Sequence, residues 1–341
     1  MPIVEHLIAE QFGTHIGKYQ ERLKVTKKGD VLIQAPLLHL QSVHILSEGV
    51  SLSADVIKAC AERGIPIFFV DTMGEAYSSL YASGLVGTVI TRREQLRAYD
   101  DPRGIHIAIA IASAKIQNQS ATLRYLAKNR ADDPIGKSLI GYATNVADYS
   151  AKLGLLPITG TIDDIRQPIL SIEANAASTY WEAVRMIIPD SYGWERREGR
   201  GATDPMNVLL NYGYGMLYGQ IERAIVLAGL DPFAGFIHTD RPGKPSLTLD
   251  MIEEFRSVIV DRAVIGLLTR NFVVDFTEQG RLADDTKRTF ATHILDRYET
   301  KMRYPTDRFA LKHIIQMQAR ALASYVRGDS DEYKGFKVGQ G

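Results

Sequence analysis

Four ionisable side chains, in two separate stretches of the sequence, are of the types that bind divalent metals in proteins. Glu173 lies in SIEANAASTYW, and His238, Asp250 and Glu253 lie in FIHTDRPGKPSLTLDMIEEF. Carboxylate oxygens suit hard cations such as Mg²⁺ or Mn²⁺, and an imidazole shifts the preference toward Mn²⁺. Together these residue types favour a divalent cation site, although their spacing alone leaves open whether Glu173 meets the other three.

The neighbours of Glu173 favour a carboxylate that is paired or bound to a metal. On a helix, Glu173 shares a face with Ala176, Ala177 and Tyr180, and small side chains allow another element to approach closely. A carboxylate in such surroundings is poorly solvated unless it is paired or binds a metal. The alternative is a glutamate on an exposed helix face, which is the commoner situation for this residue type.

His238 follows two apolar residues and precedes a turn rich in glycine and proline. That turn could reverse the chain and bring the imidazole back onto the face of the helix predicted to begin near Leu247. The alternative is a structural histidine that is held by hydrogen bonds and binds no metal.

The start of that helix carries a cluster of carboxylates. Asp250 and Glu253 are three residues apart and are therefore neighbours on one face. The helix dipole favours anions in the first turns, so a solvated acidic helix start is the alternative to a metal site. Glu254 points about 100° away from Glu253 on a helix, and we expect it to take no part in the site.

The elements that must position these residues indicate an α+β fold, with a small N-terminal β-rich domain followed by a larger all-helical domain. The runs DVLIQAPL, SVHILS, IPIFFVD and LVGTVIT are short and apolar and are separated by turns, which is typical of strands. SLSADVIKACAERG has apolar residues at helical spacing between a serine N-cap and a glycine stop. After about residue 105 the pattern becomes helical, with long runs that lack glycine and proline.

We divide the chain into a β domain at residues 1–91, a polar, basic linker at 92–104, a helical catalytic domain at 105–328 and a flexible tail at 329–341. The tail is expected to be flexible because it is polar and contains glycine. Within the helical domain, after the alanine-rich helix from about residue 105, we expect helices at roughly 136–154, 165–188, 205–229, 248–270, 284–302 and 304–327.

The overall composition excludes several classes of protein. The 341 residues are 45% hydrophobic and 23% charged, which is ordinary for a globular protein. A formal net charge of zero argues against a surface that binds nucleic acid throughout, but it leaves room for a local basic groove. The single Cys60 excludes an intrachain disulfide, and no run is long and apolar enough for a membrane helix. Without a signal peptide pattern, we expect a cytoplasmic protein.

Three long stretches resemble the family of CRISPR-associated integrases, the endonuclease subunit that inserts new spacers during CRISPR adaptation. SIEANAASTYWEAV is similar to the helix that supplies the family's glutamate ligand, and residues 204–264 resemble its signature block for the remaining ligands. Residues 42–80 resemble the family's β domain, in which a strand, a helix, a GIP strand and a glycine turn follow one another. The resemblance extends over nearly the whole chain.

The resemblance assigns roles to the candidate site residues. It implies that Glu173, His238 and Glu253 are the metal ligands, and that Asp250 is a further acidic catalytic residue beside the metal. Some family members have aspartate at the position of Glu253, so the longer side chain changes the reach of the ligand but not its charge.

The resemblance also implies the reaction and the partners. A metal-dependent DNA endonuclease and integrase would insert short duplex DNA into a CRISPR array, as part of antiviral defence. The 3′-hydroxyl of the duplex would attack a phosphodiester by transesterification. The expected assembly is a homodimer formed through the β domain, with two dimers bridged by a small ferredoxin-fold partner into a heterohexamer-like complex. Two alternatives stay open: a transposon-type integrase or structure-specific nuclease outside CRISPR, and a non-catalytic DNA-binding scaffold.

Binding of double-stranded DNA would depend on Lys and Arg side chains that contact phosphates. The glycine-flanked segment GWERREGRGATDP and the turn TDRPGK supply most of the basic residues near the candidate site. The candidates for DNA contacts are Arg196, Arg197, Arg200, Arg241, Lys244 and Arg256. Neighbouring tyrosines and Trp181 could also approach DNA, although aromatic residues at helical spacing more often belong to a core.

Overall fold

The computed structural model describes residues 4, 6–40, 42–71, 76–80, 89–128, 130, 132–199 and 201–339. Arg200 and residues 85–88 of the predicted strand LVGTVIT lie outside these ranges, whereas residues 89–91 of that run belong to a helix.

Two small sheets form the N-terminal part of the described chain. The strands of the two sheets are β1 (His6–Ala9), β2 (Thr14–Tyr19), β3 (Arg22–Lys27), β4 (Asp30–Pro36), β5 (Ser42–Ile45), β6 (Ser51–Leu52), β7 (Ile67–Val70) and β8 (Ala76–Leu80). One sheet has the order β1-β5-β7-β8 and the other has the order β4-β3-β2-β6. Strands β1, β5 and β7 are parallel, and β8 runs antiparallel to β7.

Helix α1 (Ala54–Glu62) connects the two sheets and packs on them through Val56 and Cys60. The apolar faces of β1, β2, β3, β5 and β7 join α1 in one hydrophobic core. Cys60 is buried in that core. Burial raises the pKa of the Cys60 thiol to about 11, so the side chain acts as a small apolar group at neutral pH.

The rest of the chain is mainly helical, which confirms the α+β fold class. The helices are α2 (Val89–Tyr99), α3 (Pro102–Lys128), α4 (Pro134–Leu153), α5 (Ile162–Arg185), α6 (Pro205–Leu227), α7 (Ser246–Ile252), α8 (Arg262–Leu268), α9 (Asp284–Glu299) and α10 (Leu311–Arg327). A π-helical turn, Ser257–Asp261, precedes α8, so the predicted helix over about 248–270 is divided into segments. No helix of the described residues is long and apolar enough to cross a membrane.

The segment predicted as a linker, residues 92–104, is helical over most of its length, because α2 extends to Tyr99 and α3 begins at Pro102. Gln95 is buried and binds the carbonyls of Asp231 and Ala234 through its side chain, which fixes α2 against the helical domain. Proline is well tolerated in the first turn of a helix, so Pro102 marks the start of the next helix.

The predicted helix over 304–327 begins later than expected. A hairpin of β9 (Lys301–Tyr304) and β10 (Asp307–Ala310) precedes α10. Pro305 and Thr306 form its turn, because proline has a fixed φ and lacks the N–H that a helix interior requires.

Two buried aromatic side chains hold the segment that was predicted as a flexible tail, residues 329–341, against the helical domain. Tyr333 and Phe336 are buried in the helical core, and the ring of Phe336 stacks on Phe255 with centroids 5.1 Å apart. The tail contains polar residues, but burial of these two aromatic side chains removes a large apolar surface from water. This burial holds the segment in place. The outer limits proposed for the two domains remain predictions.

Candidate metal centre

Helix α5 buries Glu173 on the face that its small neighbours predicted. Thr161 and Asp164 form a capping box that fixes the start of the helix, and Ala176 and Tyr180 are fully buried on the same face as Glu173. Only 8% of Glu173 is exposed, and its carboxylate accepts a hydrogen bond from the ammonium of Lys115 on α3. Glu173 is therefore a paired, nearly buried carboxylate.

Glu253 lies just beyond the end of α7 and faces the same ammonium. Its Oε2 is 2.8 Å from Lys115 Nζ, and its Oε1 accepts a hydrogen bond from Arg256. Burial raises the pKa of Glu253, but the charges of Arg256 and Lys115 outweigh this effect, and its pKa falls to about 2. Glu253 is therefore an anion at any pH at which the protein would work.

We call Lys115, Glu173, Glu253 and Arg256 the carboxylate cluster. Burial lowers the pKa of Lys115, but the charges of Glu253 and Glu173 raise it by more, so the ammonium keeps its proton. Glu173 and Glu253 are far apart in the sequence, and the cluster brings both carboxylates onto one cation. The structure thus settles that the two carboxylates meet, which the spacing left open.

Asp250 is fully buried and holds His238 in place. Its Oδ2 accepts hydrogen bonds from the backbone N–H of Phe236 and Ile237, and its Oδ1 accepts from the N–H of His238. The same Oδ1 is 2.7 Å from Nδ1 of the His238 ring. Asp250 therefore folds the loop back onto α7 and orients the imidazole, which is the usual role of a carboxylate behind a metal-binding histidine.

The bond to Asp250 makes Nε2 the ring nitrogen that could bind a metal. Burial lowers the pKa of His238, but the hydrogen bond and charge of Asp250 and the charges of Glu253 and Glu173 together raise it. The imidazole is thus within the electrostatic field of both carboxylates of the cluster.

Close packing at the base of the His238 loop requires glycine at position 235. A Cβ on Gly235 would lie 2.6 Å from the backbone carbon of Ser246 and 2.8 Å from Oδ2 of Asp250. The N–H of Gly235 also donates to Ser246 Oγ. The sequence therefore places a residue without a side chain where the loop contacts the start of α7.

These donors fit Mg²⁺ or Mn²⁺ by their chemistry, since they offer two carboxylates and one imidazole whose other nitrogen is held by a carboxylate. Among the residues that the structure describes, no group of three or more His, Cys, Asp or Glu side chains is arranged so that it could hold a metal ion. In the cluster, the Lys115 ammonium contacts the carboxylates of both Glu173 and Glu253. The metal-binding role of Glu173, His238 and Glu253 stays a prediction.

A cavity of about 110 Å³ opens beside the cluster. The guanidinium groups of Arg197 and Arg256 lie over the ring of Tyr214, at 5.3 Å and 4.8 Å from its centroid. Behind them, buried Asp261 accepts hydrogen bonds from the hydroxyls of Tyr214 and Tyr180. The cavity thus combines two guanidinium groups with an aromatic floor, which suits a phosphate-containing ligand.

The other basic candidates have different surroundings. Arg196 is 81% exposed and pairs with Glu198, while Arg241 and Lys244 are exposed at a turn closed by an isolated bridge between them. Of the aromatic residues, Tyr180 and Tyr212 belong to the core. Of the described candidates for DNA contacts, Arg197 and Arg256 line the cavity, whereas the others are exposed on the surface.

Lys115 and Asp261 were missed in the sequence. The stretch SAKIQNQS does contain a signal, because Lys115 shares a helix face with Ile111 and Ala112, which are fully buried. A lysine on the apolar stripe of a long helix needs a buried anion as its partner. No comparable pattern surrounds Asp261, whose partners come from two other helices.

Comparison with known proteins identifies the family. A sequence model of the family described as CRISPR associated protein Cas1 matches residues 7–296. A protein named CRISPR-associated endonuclease Cas1 1 from Archaeoglobus fulgidus is 34% identical over 97% of this chain and 98% of its own. Its counterpart of the same name from Francisella tularensis subsp. novicida is 32% identical over 98% and 99%. The chain belongs to the Cas1 family of CRISPR-associated endonucleases.

Solved structures share the fold over nearly the whole chain. A casposase bound to integration product superposes with a TM-score of 0.81 at 21% identity, over 99% of this chain and 96% of the casposase. A Cas1 protein from Thermotoga maritima gives a TM-score of 0.78 at 20% identity, over 98% and 99%. A chain of a Cas6-RT-Cas1–Cas2 complex gives 0.77 at 20% identity, over 99% of this chain and 37% of that one.

Proposed function

We propose that this protein is a metal-dependent DNA integrase and endonuclease that inserts short duplex DNA into a CRISPR array. The observation that carries the proposal is the convergence of Glu173 and Glu253 on one cation, beside an imidazole that Asp250 orients. The names of the relatives and the casposase in complex with its integration product support the same class of reaction.

The chain's own residues supply distinct parts of this chemistry. Glu173, Glu253 and Nε2 of His238 would hold Mg²⁺ or Mn²⁺, which when bound supplies Lewis acidity at a phosphoryl oxygen. Asp250 keeps the imidazole oriented, and the guanidinium groups of Arg197 and Arg256 would neutralise phosphate charge from the adjoining cavity. In phosphoryl transfer, positioning and charge neutralisation do most of the catalytic work.

The reaction exchanges one phosphodiester for another. A bond forms between the attacking 3′-oxygen and phosphorus, the bond from phosphorus to the displaced 3′-oxygen breaks, and the proton passes from the attacking to the leaving hydroxyl. No covalent intermediate with the protein is required. The exposed Arg241 and Lys244, close in sequence to His238, would add phosphate contacts that fix the duplex.

We extend the proposal to the partners. A Cas1 chain occurs in a complex with Cas2 among the structural neighbours. By analogy, this chain would form a homodimer through its β domain, and two dimers would bind a small ferredoxin-fold partner. The described residues belong to one chain, so this assembly is best tested by light scattering of the protein with and without that partner.

The test is strand transfer of a short duplex into a supercoiled plasmid with Mn²⁺ or Mg²⁺. Glu173→Gln, His238→Asn and Glu253→Gln should each lower the rate at least about a hundredfold, the size expected for one lost electrostatic group. Glu182→Gln, on the exposed face of the same helix as Glu173, is the matched control and should retain the rate. Full activity of all three folded variants would show that the site is elsewhere.

A transposon-type integrase is the second candidate, because the casposase superposes over almost the entire chain. The need for the small partner separates the two. A CRISPR integrase should depend on that partner for insertion at the array, whereas a casposase-like enzyme should act alone. Metal-independent DNA binding without any strand transfer would instead indicate a scaffold.

A further inference from the structure

The carboxylate cluster already contains a cation where the proposed metal would bind. Lys115 contacts both Glu173 and Glu253, the two carboxylates proposed as ligands, and only 15% of its side chain is exposed. Oε2 of Glu253 faces the ammonium at 2.8 Å but has no partner with hydrogen-bond geometry among the described residues. The contact between this oxygen and the ammonium is therefore an ion pair between opposite charges.

The charges of the cluster balance as it stands. The two carboxylates face one ammonium and one guanidinium, so a divalent cation would add two positive charges to a neutral set. Arg256 is fixed by the ring of Tyr214, over which its guanidinium lies. Lys115 has a flexible four-carbon stem and no such contact with an aromatic ring among the described residues. Lys115 is thus the cation that can leave.

The adjoining cavity offers a place to which the ammonium can move. Gln119 lies one turn further along α3 on the same face as Lys115, and both line the cavity together with Ser257. The Oε1 atom of Gln119 and the Oγ atom of Ser257 are buried and have no hydrogen-bond partner within the described part of the chain. Buried acceptors of this kind need a donor, and an ammonium has three.

We propose that Lys115 is a displaceable counter-cation that holds Glu173 and Glu253 together until a divalent cation enters, and then turns to Gln119 and Ser257. This inference rests on the proposed function, since it takes the two carboxylates to be metal ligands. In the metal-free protein the ammonium prevents repulsion between the carboxylates. On metal binding it must give up both contacts, so the site binds its metal more weakly than an uncompensated pair would.

The test measures the Mn²⁺ affinity of the full-length protein without DNA, from the electron paramagnetic resonance signal of unbound Mn²⁺. Lys115→Met should bind Mn²⁺ at least about tenfold more tightly than the wild type, because no ammonium has to be displaced. Lys115→Arg keeps the charge and should bind no more tightly than the wild type. Lys128→Met, an exposed lysine of the same helix, is the control and should not change the affinity.

Thermal unfolding gives an independent readout. Lys115→Met lacks the counter-cation and should therefore melt at a lower temperature in EDTA. Mn²⁺ should raise its melting temperature by more than that of the wild type, because a ligand that binds the folded state more tightly stabilises it more at the same concentration. Lys115→Gln provides the same comparison if the methionine variant does not fold without metal. Gln119→Leu removes one receiving acceptor and should weaken Mn²⁺ binding. An unchanged affinity in that variant would overturn the relocation.

Two failures can be told apart. If Glu173→Gln and Glu253→Gln abolish Mn²⁺ binding but Lys115→Met and Lys115→Gln bind no more tightly than the wild type, this inference is wrong and the metal site stands. If the wild type binds no Mn²⁺ at this site, both the proposed metal dependence and the inference about Lys115 are wrong.

Discussion

Glu253 and Glu254 are adjacent in the sequence and both buried, yet they lie in opposite electrostatic environments. Glu253 faces Lys115 and Arg256, and its pKa falls to about 2. The partners of Glu254 are the neutral side chains of Tyr333 and Gln318 and the N–H of Phe336. Burial therefore dominates at Glu254 and raises its pKa to about 7. At Glu254 the hydrogen bonds from neutral donors lower the pKa by less than burial raises it, whereas at Glu253 the charges of two cations outweigh burial.

The two glutamates therefore have different roles. Glu253 belongs to a cluster of charged side chains, whereas Glu254 joins two segments of the chain through its contacts with Tyr333, Gln318 and Phe336, which we call the latch. Glu254 connects α7 to the C-terminal segment, and the side chain of Asn118 reinforces the connection through the carbonyls of Glu254 and Phe336. Glu253, one residue earlier, contacts Lys115 and Arg256 of the carboxylate cluster instead. The latch thus fixes the backbone from which Glu253 reaches the proposed metal.

The largest expected effect comes from removing the charge of Glu253. Glu253→Gln leaves Lys115 and Arg256 with one carboxylate between them, and a broken buried ion pair costs about 3 to 5 kcal/mol of unfolding free energy. Urea denaturation in EDTA measures this loss. Glu254→Gln keeps the hydrogen-bonding shape and should cost about 1 kcal/mol. Equal losses in the two variants would contradict the contrast between them.

Loss of Phe336 tests the latch itself. Phe336→Ala removes a fully buried ring that stacks on Phe255 and should lower the free energy of unfolding by about 3 kcal/mol or more. The loss should appear in the same urea experiment, with Lys334→Ala as the exposed control from the same segment. A loss below about 0.5 kcal/mol, typical of a surface substitution, would mean that the segment is not packed as described.

Asp250→Asn should weaken metal binding and also lower stability. The amide has one acceptor oxygen where the carboxylate has two, so backbone N–H groups on one side lose their acceptor, and the imidazole is no longer held in the same orientation. Changes behind a metal-binding histidine typically cost about tenfold to a hundredfold in metal affinity. Isothermal titration with Mn²⁺ measures the effect. An affinity equal to that of the wild type would argue against His238 as a ligand.

The smallest expected effect is a pH dependence that differs between the two glutamates. The pKa of Glu254 is raised on folding, so its stabilising contribution is complete below its unfolded pKa of about 4.5 and is lost as the pH rises through about 7. The pKa of Glu253 is lowered, so its contribution is present above about 4.5 and is lost as the pH falls toward 2. Between pH 5 and 8 the wild type should therefore lose on the order of 2 kcal/mol relative to Glu254→Gln. Parallel pH profiles of unfolding would refute the assignment for Glu254.

Much of the fold could be predicted because its signals are local. The alanine-rich run of α3 and the small residues around Glu173 indicated a buried helical face, and the structure has it. The turn before α7 predicted a chain reversal, and Asp250 closes that reversal.

The remaining features depend on partners distant in the sequence. Glu254 was expected to take no part in the site. Its carboxylate binds Tyr333 and the N–H of Phe336, and nothing nearby in the sequence indicated that the C-terminal segment would bind it. The burial of Tyr333 and Phe336 holds that segment against the helical core despite its polar composition. Lys115 could have been found from its place on an apolar stripe, although its two carboxylates could not.

The central claim is that Glu173, Glu253 and His238 bind one divalent cation. The most direct test is the anomalous scattering of Mn²⁺ in crystals of the full-length protein. The account predicts one strong peak between the carboxylates of Glu173 and Glu253 and Nε2 of His238, with the Lys115 ammonium moved toward Gln119. A peak elsewhere, or an unmoved Lys115 with no peak at saturating Mn²⁺, would contradict it.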